Sequence, residues 1–293
     1  MTVQIRILDT VTRTAPLGVR FWDLAAHRPV SEGLSVTARS AARPNLVRPL
    51  RPSASGVHVL HDAPEVSATT WGDGSDAYWA GVARSAFTLE VRDLKGRFLP
   101  LTLAALAPHK GYLTAVVASP LGEAQDLLAA YAPPGFIPLF SAPARPGGAG
   151  LALIRATLKR TADEAPAAGT LVVAKALGEV AGFGLADARG DLALIFPFPE
   201  LERRAFTPSP VASSANTGAA LPVFTATVTL RAFHDVAAAP LADVPDFTRL
   251  ASQPEAALLA RKSPRSVLGD LTLQLGDELR VETLGGLRSL YVD

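Results

Sequence analysis

Cysteine is missing altogether from the 293 residues, which excludes disulfides, thiolate zinc sites and a cysteine nucleophile. Stability must therefore come from apolar cores and subunit contacts. An excess of either charge is lacking too. The 28 basic and 27 acidic residues leave a net charge of +1, which exerts no long-range pull on nucleic acid or anionic lipid. Charged residues make up only 19% and hydrophobic ones 48%, with a mean hydropathy of +0.24, and this is too apolar for disorder. Yet no run approaches the ~18 apolar residues of a membrane span, so no membrane insertion is expected. Residues 1–9 (MTVQIRILD) lack the basic start and apolar core of a signal peptide. The expected location is the cytoplasm, with release from the cell only as part of an assembled particle.

Proline and glycine are plentiful, at 24 and 23 residues, and long amphipathic patterns are few, which favours short strands and many turns. The stretch 150–199 is the most informative. Its apolar runs 151–158, 170–174, 180–185 and 192–196 are bounded by polar or Gly/Pro turns and read as strands. In the connection Ala186-Asp187-Ala188-Arg189-Gly190, the Asp can bond the following backbone and the Gly can take a positive φ. Upstream, 2–8, 17–23, 33–39 and 56–60 alternate as strands, and 87–92 and 97–103 form a hairpin across Asp93-Leu94-Lys95-Gly96. Pro100 makes the second of these an edge or a bulge. Residues 42–55, with Pro44, Pro49 and Pro52, read as a loop or a poorly paired edge, and 62–78 as a long surface loop. About seven strands over roughly a hundred residues suggest a sandwich.

From 119 to 149 the texture changes. Residues 121–131 suit a short helix or turn, and the Pro/Gly-rich remainder reads as a semi-extended linker. Phe136, Ile137, Leu139 and Phe140 within it are expected to pack on a neighbouring surface. Beyond the linker, 223–233 (VFTATVTLRAF) has the cleanest alternation and predicts a strand with one wet face. A short helix is expected around 255–261, a hairpin from 269–275 and 278–283 across Gly276-Asp277, and an edge strand at 288–292 that includes Leu290 and Tyr291. The expectation is an all-β chain of two Ig-like or transthyretin-like β-sandwich domains, 1–118 and 150–293, joined by the linker 119–149. A loose echo between the halves fits two related sandwiches in tandem or a coincidence of all-β composition.

The chain shows no catalytic constellation. Of five histidines, His58 and His61 are three apart on a predicted strand and point to opposite faces, so they cannot share a metal. No G-x-S-x-G elbow occurs. Gly182-Phe183-Gly184 is followed by no helix and reads as strand glycines, not a dinucleotide loop. Asp73 and Asp76, with Asp62 and Glu65 nearby, suit either a calcium loop or a solvated loop. Trp71, Tyr78 and Trp79 suit an interface anchor, a sugar platform or a cap on the first core. The arginines 39, 43, 48 and 51 suit an acidic partner surface or a solvated loop. No cofactor is expected.

Two resemblances follow from these residues. Pro166-Ala167-Ala168-Gly169-Thr170-Leu171-Val172 with Gly184-Leu185-Ala186-Asp187-Ala188-Arg189-Gly190-Asp191-Leu192-Ala193-Leu194 resembles the carboxypeptidase regulatory-like (transthyretin-like) sandwich. Ala186 stands where that module has Thr, and the likeness is confined to 150–199. It implies a structural or adhesive module, here without a zinc carboxypeptidase domain. The chain as a whole is similar to accessory proteins of phage-tail-like contractile injection systems. That likeness rests on Leu17-Gly18-Val19-Arg20-Phe21-Trp22-Asp23, Arg97-Phe98-Leu99-Pro100, Pro138-Leu139-Phe140-Ser141-Ala142-Pro143 and Phe196-Pro197-Phe198-Pro199-Glu200. It implies a non-enzymatic cap, adaptor or decorating subunit that contacts itself and tube, sheath or cap proteins. The interface residues expected are Trp71, Tyr78, Trp79, Phe136, Ile137, Leu139, Phe140, Leu290 and Tyr291. The alternative is a carbohydrate- or cell-surface-binding module with Trp71, Tyr78 and Trp79 as its platform.

Overall fold

In the computed structural model, which describes residues 15–61, 63–69, 75–113, 122–199, 224–235, 244–281 and 289–293, strands make up 50% and helix 11%. The protein is all-β. The predicted strand at 2–8 lies outside the described residues.

The first half contains β1 (Leu17–Val19), β2 (Phe21–Asp23), β3 (Arg28–Val30), β4 (Leu34–Ser40), β5 (Arg43–Pro49), β6 (Arg51–Pro52) and β7 (His58–Leu60). A 3₁₀ turn (Pro64–Thr69) and helix α1 (Asp76–Gly81) come next, then β8 (Ser85–Asp93), β9 (Leu101–Ala107), β10 (Tyr112–Leu113), α2 (Glu123–Tyr131) and β11 (Ile137–Leu139). The predicted single strand 17–23 is split at Arg20, whose carbonyl accepts from Ile137 N–H at 2.8 Å. Before the split, β1 runs between β7 and β10; after it, β2 runs between β3 and β11. Residues of both short sheets share a core with the sheet β5-β4-β8-β9. Leu17, Val19 and Phe21 pack in one cluster with Val36, Leu89 and Leu103.

The second half contains β12 (Leu151–Arg160), β13 (Leu171–Ala176), β14 (Glu179–Leu185), β15 (Asp191–Pro197), β16 (Thr225–Phe233) and α3 (Phe247–Ala251). It ends with β17 (Glu255–Ala256), β18 (Leu258–Arg261), β19 (Ser266–Val267), β20 (Leu271–Gln274), β21 (Glu278–Arg280) and β22 (Ser289–Val292). One sheet runs β15-β12-β22-β18-β19, with β21 also on β12, and the other runs β14-β13-β16-β17, with β20 also on β16. They pack face to face as a β-sandwich. Gly182 and Gly184 allow the close approach: an added Cβ would lie 2.7 Å from Phe196 Cβ or 2.7 Å from Leu192 Cδ1.

The apolar run of β13 buries both sides of its pleat. Val172, Ala174 and Ala176 enter the sandwich core, whereas Leu171 and Val173, with Phe183, Leu185 and Phe233, join the core of the first half. The apolar interior therefore crosses the expected boundary between the halves. Strand β16 behaves as predicted, with Thr225, Thr227 and Thr229 exposed and Ala226, Val228 and Leu230 buried. The connector is sewn into the first half. Strand β11 pairs in parallel with β2, Phe98 bridges Ser141, and Arg145 forms a two-pronged pair with buried Asp23 at 2.9 and 2.7 Å.

Three expectations are corrected. The segment expected to be helical at 255–261 is β17 and β18, because Glu255 and Ala256 pair with β16 and Leu258 and Leu259 with β22. The helix lies at α3 instead, where the Asp246 side chain caps it by accepting from Arg249 N–H. The expected hairpin 269–283 does not close: β20 pairs with β16 and β21 with β12, so the Gly276-Asp277 turn hands the chain from one sheet to the other. The C-terminal strand is no edge. Strand β22 lies between β12 and β18, with all its residues buried.

Two buried imidazoles bear on acid stability. His58 Nε2 lies 3.2 Å from the Ser31 carbonyl, and its ring meets Phe21 edge-on. Thr170 Oγ1 donates to the Ala167 carbonyl at 2.7 Å, so His234 Nδ1–H donates to Thr170 Oγ1 at 2.9 Å. Burial holds both imidazoles below their ordinary pKa.

Three outcomes are expected from this packing. Gly182→Ala forces a methyl into Phe196 and lowers stability by about 1–3 kcal/mol; in urea melts the midpoint falls at constant slope, and an unchanged midpoint refutes the close approach. Arg145→Ala strands a buried carboxylate and costs about 3–5 kcal/mol; a loss below about 1 kcal/mol means that the pair is not the clasp described. The stabilising effect of the neutral imidazoles is complete above the unfolded value near ~6.5, declines below it as the unfolded chain takes up protons, and is exhausted below the depressed folded values. His58→Phe therefore flattens the decline of unfolding free energy from pH 7 to 5, and parallel curves for the variant and the parent rule out that contribution.

Candidate interaction surface

The sheet β5-β4-β8-β9 turns alternate side chains outward, and at one end that outward face is unusually apolar. Antiparallel pairing puts Ala86 opposite Leu106, Thr88 opposite Ala104, and Arg39 between Thr88 and Val47. Ala86, Thr88 and Ala104 are exposed, Leu106 is 50% exposed, and Leu46 and Val47 are 40% and 44% exposed. Strand β5 lies at the edge, and its register slips between Arg39 and Ser40, so that Val47 and then Arg43 become the partners. Pro44 sits in the extra length and Pro49 closes the strand. Each removes a backbone donor, which blunts the edge as a template for an added strand. Any contact here must be made through side chains.

Other elements gather at the same end. Arg43 Nε approaches the largely buried Glu65 carboxylate at 3.6 Å, which ties the β4–β5 turn to the 3₁₀ turn. Ser85 Oγ donates to the Glu65 carbonyl at 3.5 Å, and Ala41 N–H donates to the Ala86 carbonyl at 2.9 Å. Helix α1 is capped by the Ser75 side chain, which accepts from Tyr78 N–H, and it contains no buried residue. A six-residue helix gains little from its own hydrogen bonds. Here its half-exposed Tyr78 and Trp79 meet edge-to-face, with centroids 5.2 Å apart. Lys110 contacts Asp76 and, chiefly by that hydrogen bond, holds the carboxyl below its usual range. Arg39, Arg43, Arg84 and Lys110, all exposed, form a basic rim.

The expected interface residues are distributed differently from the sequence expectation. Tyr78 and Trp79 are half-exposed on α1, which leads into β8 and is held through Asp76 to Lys110 beyond β9, and Trp71 lies outside the described residues. Ile137, Leu139 and Phe140 are buried in the core of the first half because the connector is a paired strand. Leu290 and Tyr291 are buried because β22 is an interior strand; these five do not form an outward face. Phe136 is half-buried, with the Arg20 guanidinium stacked on it at 4.2 Å and Trp22 edge-on at 5.2 Å. The basic cluster keeps Arg39 and Arg43 at this end, where Arg39 also approaches Glu90 at 3.8 Å. Asp76 is engaged by Lys110, while Asp62 and Asp73 lie outside the described residues. No group of three His, Asp or Glu placed to hold a metal occurs among the described residues, and no helix among them is long and apolar enough to cross a membrane.

Sequence reasoning missed Leu46, Val47 and Leu106. The signal for Leu106 was present: extending the alternation of Leu101-Thr102-Leu103 by two repeats, through Ala104, puts it on the wet face. For Leu46 and Val47 the prolines left a loop and a poorly paired edge both open, and the structure shows the edge.

Compared with family models, with curated proteins and with solved structures, the chain matches none.

Proposed function

We propose that the chain is a non-enzymatic structural subunit that docks side by side with other proteins of a larger assembly through the apolar, basic-rimmed end of its β5-β4-β8-β9 sheet. The observation that carries this reading is the exposed pair Val47 and Leu106 on an outward sheet face, at the end where α1, which has no buried residue, leads into β8. Apolar centres with Tyr, Trp and Arg around them are the composition of protein contact sites. The rim selects an acidic partner. The assembly suggested by the sequence likeness is a phage-tail-like contractile injection system, with this chain as a cap, adaptor or decorating subunit built of two sandwich halves. A structural module of the carboxypeptidase regulatory-like kind at 150–199 suits that role. The edge-to-face setting of Tyr78 and Trp79 favours a protein contact over the flat stacking platform of a glycan-binding module.

Binding to purified tube, sheath and cap proteins, or to itself, is measured by analytical ultracentrifugation and biolayer interferometry. Parent protein is expected to bind one of these, more weakly as salt rises. Val47→Asp combined with Trp79→Ala is expected to weaken binding at least about tenfold. A strict monomer that binds none of these proteins, or binding untouched by the double substitution, overturns the proposal.

A further inference from the structure

A further site, built from other residues than the proposed contact surface and independent of that reading, lies where the chain breaks between β1 and β2. Arg20 stands at the break and is half-buried. Parallel pairing sets Gly18 against Tyr112 and Phe21 against Ile137, which brings the Tyr112 and Phe136 side chains to Arg20 from β10 and from the residue before β11. The guanidinium carbon lies 3.8 Å from the Tyr112 ring centroid and 4.2 Å from that of Phe136. The backbone closes in as well. Gly135 has a φ of 77°, and a Cβ added there would lie 3.0 Å from Arg20 Nη2.

Held in this way, the guanidinium has no oxygen partner among the described residues. Its Nε is enclosed and bonded to nothing, whereas Nη1 and Nη2, equally unbonded, are not enclosed. Arg97, Arg145, Arg155, Arg160 and Arg231 are also partly buried, and each holds a carboxylate. A charge drawn partly out of water without a counter-ion is costly, and the ring contacts offset only part of that cost. The same rings restrict the side chain, so less freedom is lost when a ligand engages its planar fork. An oxyanion can reach Nη1 and Nη2 but not Nε. Among the described residues no second cation lies over either ring, so a phosphate dianion would keep an uncompensated charge beside two apolar faces. A single carboxylate matches both the charge and the open end of the fork.

We propose that Arg20 is the receptor for one carboxylate, bound by Nη1 and Nη2 beside the Tyr112 and Phe136 rings and carried either by a small molecule or by an acidic side chain of a partner. Capped Gly-Glu-Gly and Gly-Gln-Gly peptides, which differ in the charge, are titrated into the full-length protein while the sheltered Arg20 Nε–H signal is followed by NMR. The Glu peptide is expected to give a saturable shift of that signal and the Gln peptide to bind at least about tenfold more weakly. In Arg20→Gln, followed on the Tyr112 ring protons, the preference is expected to fall below about threefold. Equal binding of the two peptides, or no saturable shift with the Glu peptide, overturns the proposal, and this comparison needs no variant to fold. A full preference retained in Arg20→Gln overturns it too, as does inorganic phosphate binding more tightly than propionate. Propionate that binds as tightly as the Glu peptide assigns the carboxylate to a small molecule, and weaker binding of propionate assigns it to a partner's side chain.

Discussion

The structure depends on a strand, β13, that stays dry on both of its faces. In most antiparallel sandwiches each sheet has a core face and a wet face, and β16 keeps that pattern over Thr225, Thr227 and Thr229. Strand β13 does not: Leu171 and Val173 face one core while Val172 and Ala174 face the other. The glycines of β14 let the facing sheet come close from one side. From the other side α2 lays Tyr131 against Phe183 edge-to-face at 5.1 Å, and the Tyr131 hydroxyl donates to the Ala181 carbonyl at 2.6 Å. Each fully buried Val, Leu or Phe there contributes roughly 1.5–3 kcal/mol, so the halves gain from contact with each other as well as from their own interiors.

Polar clasps fix the register of that contact. Arg231 on β16 reaches Glu255 at 2.8 and 2.6 Å and Glu123 of α2 at 2.6 and 2.8 Å. The hydrogen bonds that Arg231 donates to the two carboxylates raise the guanidinium pKa, and both carboxylates are lowered in return, chiefly by those same bonds. These carboxylates remain in contact with water, where ion pairs contribute little, so the two-pronged geometry matters for orientation more than for energy. The Asp23–Arg145 pair is different in kind. It is nearly sealed from solvent, and Arg145 also passes its carbonyl to Arg155 of β12 at 2.9 Å. One connector residue thus joins β2 of the first half to β12 of the second.

What was legible in the sequence follows from what period-2 alternation can carry. The strands of 150–199 and the β16 strand were readable because their turns are marked by Asp and Gly, and the 186–190 turn forms as expected, with Asp187 Oδ1 accepting from Arg189 N–H and Asp191 N–H. Pairing partners were not readable. Residues 271–274 and 278–280 look like a hairpin because they are close in sequence, yet each finds a better partner in a different sheet. Ala256-Ala257-Leu258-Leu259-Ala260 has helix-forming composition, but β16 and β22 offer open ladders, and tertiary pairing overrides a propensity of tenths of a kcal/mol per residue. For the site, the aromatic residues of α1 were found from their type. The exposed Leu46 and Val47 were not, since a bulged, proline-broken edge gives no alternation from which to read a wet face, whereas Leu106 was within reach of the β9 alternation.

That last difference separates the surface from the other apolar features of the chain. Phe140, Leu290 and Tyr291 are hydrophobic and were plausible contact residues, but the fold consumes them. The end of the β5-β4-β8-β9 sheet has no such internal use: its inward side chains Phe87, Leu103 and Ala105 already fill the core, and its outward ones gain nothing from folding alone. Exposed apolar side chains scattered singly need no explanation. Here pairing across β5, β4, β8 and β9 puts Val47 and Leu106 on one face, and prolines blunt the adjoining edge. That combination discourages indiscriminate strand addition while keeping a side-chain surface available, which is what the proposed role as a subunit requires.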